Sequence, residues 1–251
     1  MSAPIVDYWN DRARRGYDQQ PGQDPALDRW AKRVCPLVAE AVGPGARVLD
    51  SGCGTGFLAR ILAADGHRVT GQDASPGMLA VAAERAAADG LAIDWLTGVA
   101  EEPPARPFDV VVTRNVLWTL PEPQRAVDAW VRVLRPGGLL LVSDGRWDAA
   151  SVGDDATEER FSSSYSDAAP ELPMGVDFAG CADLVERAGF VDRTDRTALF
   201  DGAPYPSAPG FFLLSARAPR RWPAVAACCC GWPWRRSWRC WSCWSRCCCR
   251  S

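Results

Sequence analysis

The segment VLDSGCGTGFLA, residues 48–59, sets an apolar run and an acid, Asp50, against glycines at 52, 54 and 56, with a helical apolar pattern beginning at Phe57. Glycines so placed let a backbone turn sharply and come close to a ligand. Asp73 ends a second apolar run, HRVTGQD, 23 residues after Asp50. That interval suits an acid accepting from ribose hydroxyls, so the two signals together predict a ligand containing adenosine. Cys53 sits in the middle of the loop. A thiol at a helix N-terminus can be acidified into a nucleophile, but in a loop that holds its ligand by backbone the side chain is expected to point away, and no catalytic role follows.

Spacing decides between adenosine ligands. A dinucleotide loop reads G-x-G-x-x-G, its last glycine allowing close helix packing beside a pyrophosphate. Here the pattern from Gly52 is G-x-G-x-G, with Phe57 at the sixth position. This suits S-adenosylmethionine, which has no phosphates and needs room for an amino acid and a sulfonium. An NAD-dependent oxidoreductase is the weaker alternative.

The elements that must position these residues alternate along the chain. Apolar runs at ARVLD, HRVTGQD, AIDWLTG, FDVVVTR and LLLVSDG are separated by helical patterns such as FLARILAADG, SPGMLAVAAERAAADG and QRAVDAWVRVLRPGG. Mostly unalternated apolar strands between helices predict an α/β, Rossmann-like, doubly wound sheet covered on both faces. Ser75 is placed as a helix N-cap, and Val127, Trp130, Val131 and Leu134 form one helical face before RPGG. Upstream, Leu27, Trp30, Val34, Val38 and Val42 make an amphipathic helix containing Pro36. The organisation expected is a helical cap over 1–43, a ligand-binding core over 44–145, a substrate-side insertion with the last sheet elements over 146–218, and a tail over 219–251.

At this point the chain resembles the class I S-adenosylmethionine-dependent methyltransferases, in the small-molecule branch of ubiquinone/menaquinone-biosynthesis type. YWNDRARRGYD, VLDSGCGTGFLA, VTGQDASPGML, FDVVVTRNVLWTL and VLRPGGLLLV occur in that family's order, from about Val6 to Ala218. The resemblance implies a seven-stranded, mostly parallel sheet with an N-terminal helical cap and its final strand inserted antiparallel. It implies that Asp50, Gly52, Cys53 and Gly54 line the methionine part of the cofactor, that Asp73 holds the ribose, and that Ala74 and Met78 pack near adenine. Arg114 would sit beside the cofactor and Tyr17 would close over it. The third-strand region departs from the pattern: the family's G-D-A-E becomes TGVAEEPP, and Val99 cannot accept from the adenine amino group. That duty would pass to backbone at Val99, Ala100 and Glu101, or to the Glu101 side chain.

The implied activity is transfer of a methyl group from S-adenosylmethionine to a small-molecule acceptor; the alternative is a protein that binds the cofactor without catalysing. The single histidine, His67, falls at the edge opposite the ligand and reads as structural. Catalytic candidates are therefore Asp144, as base or substrate anchor or equally as a helix or turn cap, with Asn115 and Tyr17. Tyr8, Trp9, Trp118 and Tyr165 are further substrate-side candidates, and aromatic faces among them could stabilise a cation.

Composition bounds the partners. Residues 219–251 carry seven Arg and no acid, so the chain's net charge of −3 leaves residues 1–218 at −10. An acidic body argues against nucleic acid, whose phosphates call for clustered Lys and Arg. No leader pattern and no apolar run of about 20 residues is present, which predicts a cytoplasmic protein off the membrane, as monomer or homodimer. Eight of the eleven cysteines and six tryptophans fall in the tail; its single C-x-x-C, Cys240 and Cys243, does not make a zinc ribbon. No metal is expected. In a GC-rich coding sequence such a tail reads as frameshift-derived and disordered.

Overall fold

The computed structural model describes residues 3–16, 25–145, 175–202 and 210–220. Tyr17, Tyr165, most of the predicted insertion and residues 221–251 lie outside them. Seven strands form one sheet: β1 (Arg47–Ser51), β2 (Arg68–Asp73), β3 (Asp94–Thr97), β4 (Phe108–Arg114), β5 (Leu134–Asp144), β6 (Val191–Asp195) and β7 (Phe212–Arg217). Their order is β3-β2-β1-β4-β5-β7-β6. The first five pair in parallel, while β7 runs antiparallel to both β5 and β6. The expected doubly wound sheet with an inserted antiparallel strand is present.

The helices are α1 (Ala3–Arg14), α2 (Pro25–Val42), α3 (Phe57–Ala64), α4 (Pro76–Ala88), α5 (Pro123–Val133) and α6 (Phe178–Arg187). Two apolar clusters lie on opposite sides of the sheet. One joins Val111, Leu140 and Leu214 to Val127 and Trp130 of α5 and Leu184 and Val185 of α6. The other joins Val48, Val110 and Leu141 to Trp30, Val34 and Val38 of α2 and Leu58 and Leu62 of α3. Alternate residues of one strand thus serve opposite layers, which is why β1 and β4 read as unbroken apolar runs.

The sequence reading of α2 requires a distinction. Trp30, Val34 and Val38, spaced by four, are buried against the sheet, so α2 is a layer of the core; α1 packs on α4. Leu134, read as the last apolar position of α5, instead opens β5, with extended backbone opposite Phe108. Two glycines in RPGG let the chain leave the helix and enter the sheet without an intervening loop.

Candidate cofactor and acceptor site

The site stands at the carboxyl edge of the first five strands, where the parallel strands hand the chain to the helices. The glycine loop joins β1 to α3, and Gly52, Gly54 and Gly56 all take positive φ, at 69°, 54° and 83°. They differ in what surrounds them. A Cβ on Gly52 would lie 2.4 Å from a methyl of Val116, so the turn after β4 is packed directly against the loop. A Cβ on Gly54 would meet nothing within 4 Å. The loop is therefore closed by protein at one glycine and open at the next. Both Gly52 and Cys53 donate their N–H groups to the Gln72 carbonyl of β2 (2.8 and 3.0 Å), which holds the loop's first residues to the sheet.

Two carboxylates flank this loop. Helix α3 begins at Gly56, which has no side chain to cap it; Asp50 of β1 reaches across and accepts from the Ala59 N–H at 2.8 Å. It thereby satisfies one of the donors a helix N-terminus leaves open. Asp50 is 2 % exposed, and burial pushes its carboxyl up to about 7, opposed by the Ala59 bond and the nearby Arg114 charge. Asp73 accepts from Gly54 N–H through one oxygen and Ser75 N–H through the other, each at 2.8 Å. Burial also raises its pKa, against the pull of its backbone donors. A carboxylate oxygen has two acceptor directions, so each Asp73 oxygen retains capacity for a ligand hydroxyl. Ser75 caps α4, accepting from Met78 N–H at 3.1 Å, as its position in the sequence predicts.

Phe57 explains its own place in the motif. Its ring, 8 % exposed, packs edge-to-face on Trp30 at 5.9 Å, and the Arg114 guanidinium carbon lies 4.1 Å from its centroid. A glycine there would remove the floor beneath Arg114. Cys53 is buried, and the space above Gly71 of β2 is shared by its Sγ and the Trp95 ring. Burial and the charges of Asp50 and Asp73 push the Cys53 thiol well above its ordinary pKa. A thiol in that state is no nucleophile. His67 is at the opposite edge, buried, with Nδ1 accepting from Ala46 N–H at 3.1 Å and Nε2 facing Asp65 at 3.4 Å.

On the β3 side of the loop, Gln72 is a residue that motif reading missed. Its buried amide donates from Nε2 to the Val99 carbonyl (3.1 Å) and the Glu102 carbonyl (2.9 Å), binding the turn after β3 to β2. The Val99 carbonyl also accepts from Glu102 N–H at 3.0 Å, so both its acceptor directions are engaged. Ala100 is buried, Glu101 and Ala74 are half-buried, and Met78 is fully enclosed. Asn10 of α1 was likewise illegible: its Oδ1 accepts from Ser75 Oγ (2.8 Å) and Gly77 N–H (2.9 Å), seating the first helix on the start of α4.

On the β5 side of the loop, Asp144 ends its strand with its carboxylate 1 % exposed. It accepts from Val116, Leu117 and Gly145 N–H at 3.1, 2.8 and 2.9 Å. Those bonds brace the turn that presses Val116 onto Gly52. Asn115 sits in that turn at φ 58°. Trp9 of α1 meets Trp118 edge-to-face at 6.3 Å, with Tyr8 packed on Trp9 at 5.1 Å.

Residues 49–142, which include the glycine loop, Asp73 and the turn after β4, match the family model described as a methyltransferase domain. This segment is a class I S-adenosylmethionine-dependent methyltransferase domain. The chain is 40 % identical over 121 residues to a ubiquinone biosynthesis O-methyltransferase of Xylella fastidiosa, covering 47 % of this chain and 46 % of the relative. A Klebsiella pneumoniae protein of the same name is 38 % identical over 135 residues, covering 48 % and 56 %. The chain thus spans about half the length of the curated relatives it matches. The N-methyltransferase NodS from Bradyrhizobium japonicum, solved with S-adenosyl-L-homocysteine, superposes with a TM-score of 0.59 at 20 % identity over 85 % of this chain and all of that one. The [4+2]-cyclase SpnF superposes at 0.58 with 25 % identity over 86 % and 93 %. Among the described residues no cluster of three metal-ligating side chains occurs. No helix among them is long and apolar enough to cross a membrane.

Proposed function

We propose that the chain binds S-adenosylmethionine at the glycine loop and passes its methyl group to a small-molecule acceptor. The observation that carries this reading is the pair of acids at the loop. A dinucleotide's pyrophosphate seeks a helix N-terminus with open N–H groups. At α3 that place is taken by the Asp50 carboxylate, with Asp73 on the other side of the loop. Asp50 already occupies an N–H that a phosphate would need, and the carboxylate of Asp73 favours the ammonium and sulfonium of S-adenosylmethionine. Gly54, with open space where a side chain would stand, fits close approach of such a ligand. The family match and the O-methyltransferase relatives support the same reading.

When bound, the cofactor supplies a methyl carbon on a sulfonium; an acceptor lone pair bonds to it while the carbon–sulfur bond breaks and leaves its electron pair on sulfur. The chain's own part is to hold. Asp73 takes the ribose, and Asp50 and Arg114 set the charge at the methionine end. Glu101 becomes the side-chain acceptor nearest adenine, given the engaged Val99 carbonyl. Asp144 works as a positioning residue through its backbone partners rather than as the base. Trp9, Trp118 and Tyr8 form an apolar wall for the acceptor. Holding two reactants in line lowers a displacement barrier by several kcal/mol with no base required.

A second reading, a cofactor-binding protein that transfers no methyl group, is favoured by the likeness to a [4+2]-cyclase. Calorimetry with S-adenosylmethionine and NADH, followed by a screen with labelled methyl donor, separates the cases. Binding of NADH alone refutes both readings. Binding of S-adenosylmethionine with no labelled product across the screen favours the second.

A further inference from the structure

The geometry points to Asn115 as the residue that selects the acceptor, by taking a hydrogen bond from an O–H or N–H on it; this rests on the function proposed above. Asn115 and Asp192 are the only non-glycine residues at positive φ among those described. Asp192 lies on an exposed stretch of the edge strand β6, where strain is readily relieved. Asn115 is held from three sides. Its own N–H donates to the Ser143 carbonyl at 2.8 Å, Asp144 fixes the two following N–H groups, and the Val116 side chain fills the space over Gly52. A strained backbone persists where its surroundings over-determine it, and such places gather at functional sites.

The side chain supplies a second, independent observation. Asn115 Oδ1 is enclosed, with no hydrogen-bond partner. A buried acceptor left unmet is a cost that folding alone does not explain. A strained backbone that carries an unmet acceptor beside a ligand cradle is an arrangement completed by a ligand's donor. Aliphatic carbon and thioether acceptors have no such donor; phenols, alcohols and amines do. Trp118, three residues further and 4 % exposed, meets Trp9 of α1 edge-to-face at 6.3 Å, so the turn is bordered by an aromatic pair suited to an acceptor that carries its hydroxyl or amine on a flat apolar body. The cofactor's own ammonium is the other donor that could reach this oxygen, and binding measurements tell the two apart.

The test uses the full-length chain and two variants, Asn115→Gly and Asn115→Asp. Three readouts are compared: Tm without ligand, affinity for S-adenosylhomocysteine, and methyl incorporation from labelled S-adenosylmethionine into a panel of phenols, catechols, arylamines and alkylamines. Glycine relieves the strain and removes the unmet acceptor, so Asn115→Gly is expected to raise Tm by about 2 °C or more. It should leave S-adenosylhomocysteine affinity within twofold and lower methylation at least tenfold. Asn115→Asp, which keeps an acceptor in place, should retain a third or more of wild-type methylation. A lower Tm for Asn115→Gly would show that the amide holds the turn and would overturn the inference. So would a tenfold loss of S-adenosylhomocysteine affinity, which assigns the donor to the cofactor, or wild-type methylation by Asn115→Gly. A wild-type chain that binds S-adenosylhomocysteine yet methylates no O–H or N–H compound overturns the donor class. Failure of the wild type to bind it refutes the underlying function instead.

Discussion

Gly52 and Gly54 are two residues apart in one loop, yet alanine at each should fail in a different way. Both have positive φ, a conformation that costs an L-residue roughly 1–2 kcal/mol. At Gly54 that is the whole structural penalty, because a Cβ would meet nothing within 4 Å. At Gly52 a Cβ would fall 2.4 Å from Val116 Cγ2, and Val116 cannot retreat while Asp144 holds its N–H. Overpacking of this kind adds about 1–3 kcal/mol. Gly52→Ala should therefore lose about 2–5 kcal/mol, and Gly54→Ala about 1–2. For a domain of this size each kcal/mol moves Tm by roughly 2–4 °C, so the expected falls are about 4–20 °C and about 2–8 °C. The ordering reverses for ligand: Gly54→Ala puts a methyl into the open side of the cradle and should weaken S-adenosylmethionine at least tenfold. Gly52→Ala, assayed below its melting range, should bind within a few-fold of wild type. Differential scanning fluorimetry and calorimetry on the same preparations read both quantities. A Gly54→Ala protein that binds S-adenosylmethionine as tightly as wild type would refute the assignment of the open side to the ligand.

Asp73→Ala should weaken S-adenosylmethionine by roughly 1–3 kcal/mol, the scale of a hydrogen bond to a charged group, and should also lower Tm because the Gly54 and Ser75 N–H groups lose their acceptor; unchanged affinity by calorimetry would refute the ribose placement. Asp50, at about 7 in the folded chain against roughly 3.9 unfolded, keeps its proton in the native state while the unfolded chain gives its own up, so its contribution is full below about pH 4 and is lost as pH rises towards 7, on the order of 4 kcal/mol. Asp50→Asn should accordingly gain in Tm relative to wild type between pH 4.5 and 7.5; a difference that does not vary with pH would contradict the burial argument. Gln72→Leu strips the Val99 and Glu102 carbonyls of a buried donor, and a loss of about 2 kcal/mol in denaturant titration is expected. Peptide mapping after iodoacetamide at pH 7.5 should leave Cys53 unmodified in the folded protein, since its thiol is buried and held protonated.

The sheet was legible because its strands are runs of apolar residues and its breaks are glycines and capping residues, all local signals. Gly52, Asp73 and Ser75 could be placed for the same reason. What escaped is made of contacts between residues far apart in the chain. Asp144 read as a base, a substrate anchor or a turn cap, and what decides among these is its partners Val116 and Leu117, 28 and 27 residues away. Gln72 is an unremarked polar residue in a strand until the turn after β3 folds over it. Phe57 showed by its position which ligand to exclude, whereas its service as a seat for Arg114 needed three elements in space. The left-handed turn at Asn115 has an asparagine but no glycine to announce it.

The seat that Asn10 makes on α4 joins positions 65 and 67 residues apart, and this sets the order in which the molecule assembles and opens. Helix α1 cannot complete its bonds until β1, α3, β2 and the start of α4 have been synthesised. Its docking is a late event of high sequence separation, one whose loop must be closed before any contact repays it. In the native protein α1 is accordingly the element suited to detach while the sheet stays intact, so its amides should exchange with deuterium sooner than those of β1 or β4. Because Asn10 grips the residues that follow the ribose carboxylate, filling the cofactor seat would slow that exchange at the far end of α1, a protection signal readable in a helix most of whose residues touch no ligand.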